Sequence, residues 1–278
     1  MTHLALIVEP GATPSSVTLT LDMLAIAGRY PEAAGCTLDV LSLRGGAVPL
    51  SARVSVDTQK MPATLAGYAA VILPGFFAEN APALIEQLQT TWQPVIARLR
   101  ALPSETLVAA SCYGTFVLAE SGLLDGINAT TTWWLQDQFR QRFPHVRLDA
   151  DQALADGGRC LTAGAMTAHT DLSLHVLRRL FGAALARRVG AIMLVDGART
   201  SQRPFMTLRR DFDDPLIQQM VRPLADKVGP NITYVFEFLL LVGAMAIATR
   251  NWFTGMLLYG LYTIFNAMAF SWVMNRPE

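Results

Sequence analysis

Cys112 is the residue of greatest chemical interest in this sequence. It lies in Leu107-Val-Ala-Ala-Ser-Cys112-Tyr-Gly114-Thr-Phe, where an apolar run enters a turn of small residues and then a helical pattern. A side chain at the apex of such a strand-to-helix turn is projected clear of the sheet, beside a helix N-terminus whose free N–H groups and positive dipole end lower a thiol pKa. That is the geometry of a nucleophile elbow. A lone cysteine in apolar company is more often a small buried hydrophobe at a tight corner, so its neighbours decide between the two. Val71-Ile-Leu-Pro74-Gly75-Phe-Phe closes a second apolar run with Pro-Gly. In open α/β sheets ligands gather at the carboxyl ends of strands, which makes the Gly75 N–H a candidate donor to the same pocket. Alone, Pro-Gly after a strand marks only a turn. Together, Cys112, the adjoining Tyr113 and Gly75 outline an oxyanion-type pocket.

Such a pocket requires a sheet with helices on both faces. Residues 4–8, 38–43, 69–73 and 107–110 are short runs, apolar on both faces, as the strands of a buried parallel sheet are. Between and after them, residues 15–30, 81–102, 115–121, 133–143 and 171–181 carry amphipathic patterns long enough for crossover helices. The fold class is therefore α/β, a doubly wound and mostly parallel sheet. Residues 146–149, a turn at Asp156-Gly157-Gly158 and residues 159–163 suggest a hairpin leading into a helix capped by Thr170 or Asp171.

The chain has 278 residues, with 22 basic and 22 acidic side chains. This balance gives no electrostatic reason to expect a nucleic-acid partner. Cys36, Cys112 and Cys160 are widely spaced and form no CxxC pair, which suits reduced thiols better than a disulfide scaffold or structural zinc. No metal or cofactor is expected. The N-terminus, MTHLALIVEPG, has no basic n-region and reads as a first strand, not a signal peptide.

The motif Ala110-Ser-Cys112-Tyr-Gly114 resembles the AxCxG elbow of the PfpI/ThiJ group within the class I glutamine amidotransferase-like fold. The order of Leu123-Leu-Asp125-Gly126, Ala129-Thr-Thr-Thr132-Trp133, Arg142-Phe-Pro144, Asp156-Gly-Gly158-Arg, Leu161-Thr-Ala-Gly164 and Asp171-Leu-Ser-Leu-His175 is similar to GlxA-like regulators of the AraC family. The resemblance covers roughly residues 3–220. It implies that the elbow cysteine of catalytic relatives works with a histidine after the elbow helix and an acid near the end of the first strand. Here Thr132 stands where the histidine is expected, and Ser16 or a neighbour where the acid is. A cysteine without a base is a poor nucleophile at neutral pH. Glu9 and His169 are substitutes of last resort, since a solvated carboxylate at a strand end and an exposed loop imidazole are the plainer readings. His175, on a helix face among leucines, reads as structural.

The resemblance thus implies a non-catalytic sensing and dimerisation domain for an unknown small molecule, acting as a homodimer. The alternative is a hydrolase, hydratase or deglycase that uses Cys112. In AraC-type relatives a helix-turn-helix pair of about 100 residues follows this domain. Too little chain follows residue 220 for that pair, and the last 48 residues hold only four charges, so no direct nucleic-acid contact is expected.

That composition shift marks the organisation: residues 1–200 as the α/β domain, 201–230 as a proline-broken, loosely packed linker with a short helix near 214–221, and 231–278 as an apolar helical hairpin. The runs 232–249 and 252–274 contain Glu237 as their one charge and approach the length needed to span a bilayer. Trp252, Trp272, Arg250 and Arg276 near the run ends fit interfacial anchors, and basic residues flanking the hairpin place the α/β domain in the cytoplasm, attached to the cell membrane. Core helices of a second domain or a dimer interface are the soluble alternative for these runs.

Overall fold

The computed structural model describes residues 2–206 apart from 52 and 196–198. The apolar runs 232–249 and 252–274 and the short helix expected near 214–221 lie outside these residues. Among the described residues no helix is long and apolar enough to cross a membrane.

The chain begins with β1 (His3–Ile7), α1 (Pro14–Ala27), β2 (Thr37–Ser42), β3 (Gly46–Pro49) and β4 (Ser55–Lys60). It continues through β5 (Ala70–Leu73), α2 (Ala81–Gln89), α3 (Gln93–Arg100), β6 (Leu107–Ser111), α4 (Gly114–Glu120), β7 (Asn128–Ala129) and α5 (Gln136–Arg142). The last elements are β8 (Arg147–Leu148), β9 (Leu154–Gly157), β10 (Cys160–Ala163), α6 (Ala168–Phe181) and α7 (Ala183–Ile192).

Eight strands form one sheet in the order β3-β4-β2-β1-β5-β6-β10-β9. Pairing is parallel from β4 through β2, β1, β5 and β6 to β10, and antiparallel only at the two edges. The chain moves from β1 to β2 on one side and then to β5 on the other, which makes the gap above β1 and β5 a topological switch point. The expected doubly wound, mostly parallel α/β fold is the fold of this chain.

The side-chain period of two divides the core between the sheet faces. Ala5, Ile7, Val71, Leu73, Val108 and Ala110 pack in a cluster with residues of α2, α3, α4 and α5. Leu4, Leu6, Ala70, Ile72, Leu107 and Ala109 join residues of α1 and α6 in a second cluster. Helices on both faces explain why these strands read as apolar throughout.

Some local expectations are corrected. The helix expected over 81–102 is two helices, α2 and α3, because Pro94 has no N–H to donate and its ring would meet the Thr90 carbonyl of a continuous helix. The hairpin partner of β10 is β9, whereas residues 147–148 pair with β7. Register explains this: Gly157 faces Cys160, Gly158 adopts φ +87°, and the Asp156 carboxylate accepts from the Gly158 N–H at 3.0 Å, so the turn draws in the residues directly before it. Helix α6 starts at Ala168, after Thr167, and has no side-chain cap. The half-exposed edge pair β3 and β4 had no apolar run to announce it.

Candidate functional site

Strands β1, β5 and β6 end together, and the turns that follow them build the site. Cys112 immediately follows β6 and adopts φ +54°, the left-handed region that costs an L-residue about 1–2 kcal/mol. Four hydrogen bonds hold it there. Its N–H donates to the Ala163 and Gly164 carbonyls at 3.0 and 2.8 Å, and its carbonyl accepts from the Thr115 N–H and the Thr131 hydroxyl, both at 3.2 Å. The elbow read from the sequence is present.

Gly75 sits against it. A Cβ on Gly75 would lie 2.9 Å from the Cys112 Cβ, 3.4 Å from its Sγ and 3.4 Å from the Thr13 Oγ1. Only a glycine allows the β5 turn to approach the elbow this closely. The Gly75 carbonyl accepts from the Thr13 N–H at 2.8 Å, which ties the entrance of α1 to the same spot. Ser16 follows in the first turn of α1, its N–H bonded to the Thr13 carbonyl. The structure therefore brings Cys112, Gly75 and the start of α1 together.

Among the described residues no charged group perturbs the thiol, and burial dominates its environment. Cys112 is 8% exposed, and burial pushes its thiol up to about 12, against a smaller lowering by the Tyr113 backbone N–H. The depression expected from the helix terminus is thus overridden by desolvation. Tyr113 turns its ring into an aromatic cluster with Phe76, Phe116 and Trp134, and its phenol oxygen accepts from the Trp134 Nε1–H at 3.2 Å. The tyrosine is half-buried and its hydroxyl is committed to packing.

Thr132 is fully buried, next to the Thr131 that holds the elbow carbonyl. The Thr132 hydroxyl has no hydrogen-bond partner, nor do those of Ser16 and Thr115. Each belongs to a segment that is hydrogen-bonded to Cys112 or packed on Gly75, and each buried hydroxyl left unpaired costs roughly 1–3 kcal/mol.

His169 and Glu9 are not the exposed groups that the sequence suggested. His169 lies in the first turn of α6 and is fully buried, with Nδ1 2.8 Å from the Ser111 hydroxyl and Nε2 2.8 Å from the Thr20 hydroxyl. The Thr20 hydroxyl donates to the Ser16 carbonyl, so it accepts from Nε2–H, and Nδ1 accepts from Ser111; the network assigns the tautomer. Burial pushes this imidazole down to about 4, against a smaller raising by the Ser16 backbone. Both ring nitrogens are therefore occupied on the α1 and α6 face. Glu9 is 5% exposed and accepts from the Leu43 N–H at 2.7 Å; its carboxyl is raised by burial, against lowering by that bond and by Arg44. It braces β1 on the chain beyond β2. His175 is not merely a helix-face residue among leucines: it reaches Asp156 at 2.8 Å, beside Arg179.

Among the described residues no three His, Cys, Asp or Glu side chains come together as a metal site. Sequence reasoning missed Thr13, Thr131, Ser111 and Gln202. Of these, Ser111 carried a signal: a hydroxyl in a strand that is apolar on both faces.

The DJ-1/PfpI family profile matches residues 3–179. The HTH-type transcriptional regulator CdhR of Pseudomonas aeruginosa is 29% identical over 195 residues, which are 69% of this chain and 55% of that protein. The chain thus spans about half the length of that curated relative. Among solved structures, Drosophila melanogaster DJ-1beta superposes with a TM-score of 0.58 at 23% identity, over 70% of this chain and 99% of the other. An AraC family transcriptional regulator from Pseudomonas putida gives 0.55 at 19% identity, over 69% and 100%. These two likenesses establish the fold.

Proposed function

The chain belongs to the DJ-1/PfpI family, and from that premise we propose that residues 1–200 form a non-catalytic module that senses a small molecule at the elbow, as part of a regulatory protein. The observation that carries this reading is the state of Cys112. Its thiol is held protonated by burial, and the histidine in this part of the fold, His169, has both nitrogens engaged with Ser111 and Thr20. A buried thiol with a raised pKa, and with no base hydrogen-bonded to it among the described residues, is a poor nucleophile. The relationship to an HTH-type transcriptional regulator supports a regulatory setting. The Ser16, Thr115 and Thr132 hydroxyls are buried near the elbow without a protein partner, and a polar ligand that reached them would remove a desolvation penalty.

The test is binding to the full-length chain in detergent, followed by thermal shift and calorimetry over a panel of small polar metabolites. Binding that survives Cys112→Ala, with no turnover by either protein, is the expected result. A second reading, a hydrolase, hydratase or deglycase using Cys112, is favoured by the left-handed elbow itself. Turnover abolished by Cys112→Ala would establish it and end the first.

The remaining proposals concern assembly and place. The module pairs as a homodimer, residues 201–230 link it to 231–278, and the runs 232–249 and 252–274 tether it to the cell membrane with the α/β domain in the cytoplasm. With only two basic residues, 231–278 makes no direct nucleic-acid contact. Flotation of the full-length chain with liposomes, lost on deleting 231–278, is the expected outcome.

A further inference from the structure

The start of the segment expected to be a loose linker is pinned to the back of the elbow. Ser201 pairs with Gln152 in an isolated bridge, the Gln202 N–H donates to the Asp151 carbonyl at 2.7 Å, and Arg203 grips the Asp151 carboxylate at 3.0 and 2.6 Å. Arg199 bonds the Thr167 hydroxyl. Gln202 is the buried member of this set, 4% exposed amid exposed or half-exposed neighbours.

Its side chain has a demanding setting. The Nε2 faces the carbonyls of Thr131, Ala150 and Gln152 at 2.9, 3.0 and 3.0 Å and the Thr130 hydroxyl at 3.3 Å. Those three carbonyls fix the amide orientation, because an oxygen in that position would meet acceptors only. The Oε1 then lies on Gly164, where any Cβ would collide with it, and it has no hydrogen-bond partner of its own.

Two residues that Gln202 touches, Thr131 and Gly164, are among the four that hold the backbone of Cys112. The Gly164 carbonyl accepts from the Cys112 N–H, and the Thr131 hydroxyl donates to the Cys112 carbonyl. The left-handed conformation of Cys112 persists because these bonds over-determine it.

We propose that Gln202 is a latch that couples the Cys112 elbow to the segment leaving the domain, so that a change at the elbow is transmitted as release of residues 199–206. The inference rests on the sensing reading for its biological use, but the coupling is a property of the protein alone. Coupling of this kind is reciprocal: the factor by which opening of the latch favours opening of the elbow equals the factor by which opening of the elbow favours opening of the latch.

The test uses the full-length chain and iodoacetamide as probe, with alkylation of each cysteine followed by peptide mass spectrometry. In Gln202→Ala, and in the near-isosteric Gln202→Met, alkylation of Cys112 should accelerate about tenfold or more, as local opening becomes cheaper. Cys160, fully buried in β10, is an internal control for global unfolding and should keep its rate. In the reverse direction, carbamidomethylated Cys112 should speed amide hydrogen exchange of peptides covering 200–205 by a similar factor, and the same treatment of Cys112→Ala should not. An unchanged Cys112 rate, a matching rise at Cys160, or unaltered exchange at 200–205 after modification would each overturn the latch. None of these outcomes bears on ligand binding, so failure of the latch and failure of the sensing reading are separately visible.

Discussion

Ser111 ends β6 and Cys112 follows it, yet the surroundings of the two treat polar atoms in opposite ways. On the α1 and α6 face, Ser111, His169 and Thr20 form a chain in which the ring nitrogens and hydroxyls have partners at 2.8 Å, ending on the Ser16 carbonyl. Around the elbow, the Ser16, Thr115 and Thr132 hydroxyls are as deeply buried and have none. A saturated buried network specifies structure, whereas buried groups without a protein partner carry a desolvation penalty. His169 belongs to the first region, bonded to Ser111 and Thr20, and Cys112 to the second.

The sharpest way to break this contrast is to remove the node. His169→Ala leaves the Ser111 and Thr20 hydroxyls without their shared partner and opens a cavity in the core. A loss of about 3 kcal/mol is expected, roughly 6–12 °C in Tm. Denaturant titration of the full-length chain checks it. Acid provides a second route. His169 has an ordinary value near 6.5 and is held at about 4, so between these limits the unfolded chain binds a proton that the folded one refuses, and stability falls as pH falls. Against His169→Gln, which does not titrate, the wild-type protein should lose about 3 kcal/mol between pH 7 and pH 4. Parallel curves for the two proteins would show that the ring is not held neutral by its site.

The elbow was legible because its determinants are local. A strand, a cysteine at its end and small residues after it are contiguous, and the Pro74-Gly75 turn ends the neighbouring strand, so sheet order alone brings Gly75 to Cys112. Thr132 and Ser16 were singled out through motif order, and each lies in a segment bound to the elbow or packed on it. His169, Thr20 and Gln202 were not legible. Thr20 and His169 are 149 residues apart, and one threonine in a helical pattern carries no sign of what lies opposite. Gln202 stands in a polar, proline-containing stretch whose composition suggests solvent, and only its carbonyl partners reveal that it is buried. The elevated thiol illustrates the same limit: the helix terminus can be read from the sequence, but the desolvation that outweighs it depends on the side chains packed around the turn.

Closer to the elbow the expected effects are smaller. Gly75→Ala places a methyl 2.9 Å from the Cys112 Cβ, and a backbone shift to relieve it should cost about 2 kcal/mol. Since the same shift disturbs the turn that seats the start of α1, the proposed sensing role further expects the affinity of any binder found for the wild type to fall with it, as a titration would show.

The smallest effect separates the two regions most directly, because its sign is the prediction. Thr132→Val replaces an unpaired, fully buried hydroxyl with a methyl of similar shape, and should stabilise the free protein by up to about 1 kcal/mol. Thr131→Val, one residue earlier, removes the hydroxyl that holds the Cys112 carbonyl and should destabilise by about 1 kcal/mol. Opposite signs at adjacent threonines, read from paired denaturation curves, would establish that the Thr131 hydroxyl maintains the elbow and that the Thr132 hydroxyl adds nothing to the stability of the free protein. Loss of stability in both variants would mean that Thr132 has a structural partner in solution, and the contrast with the His169 node would disappear.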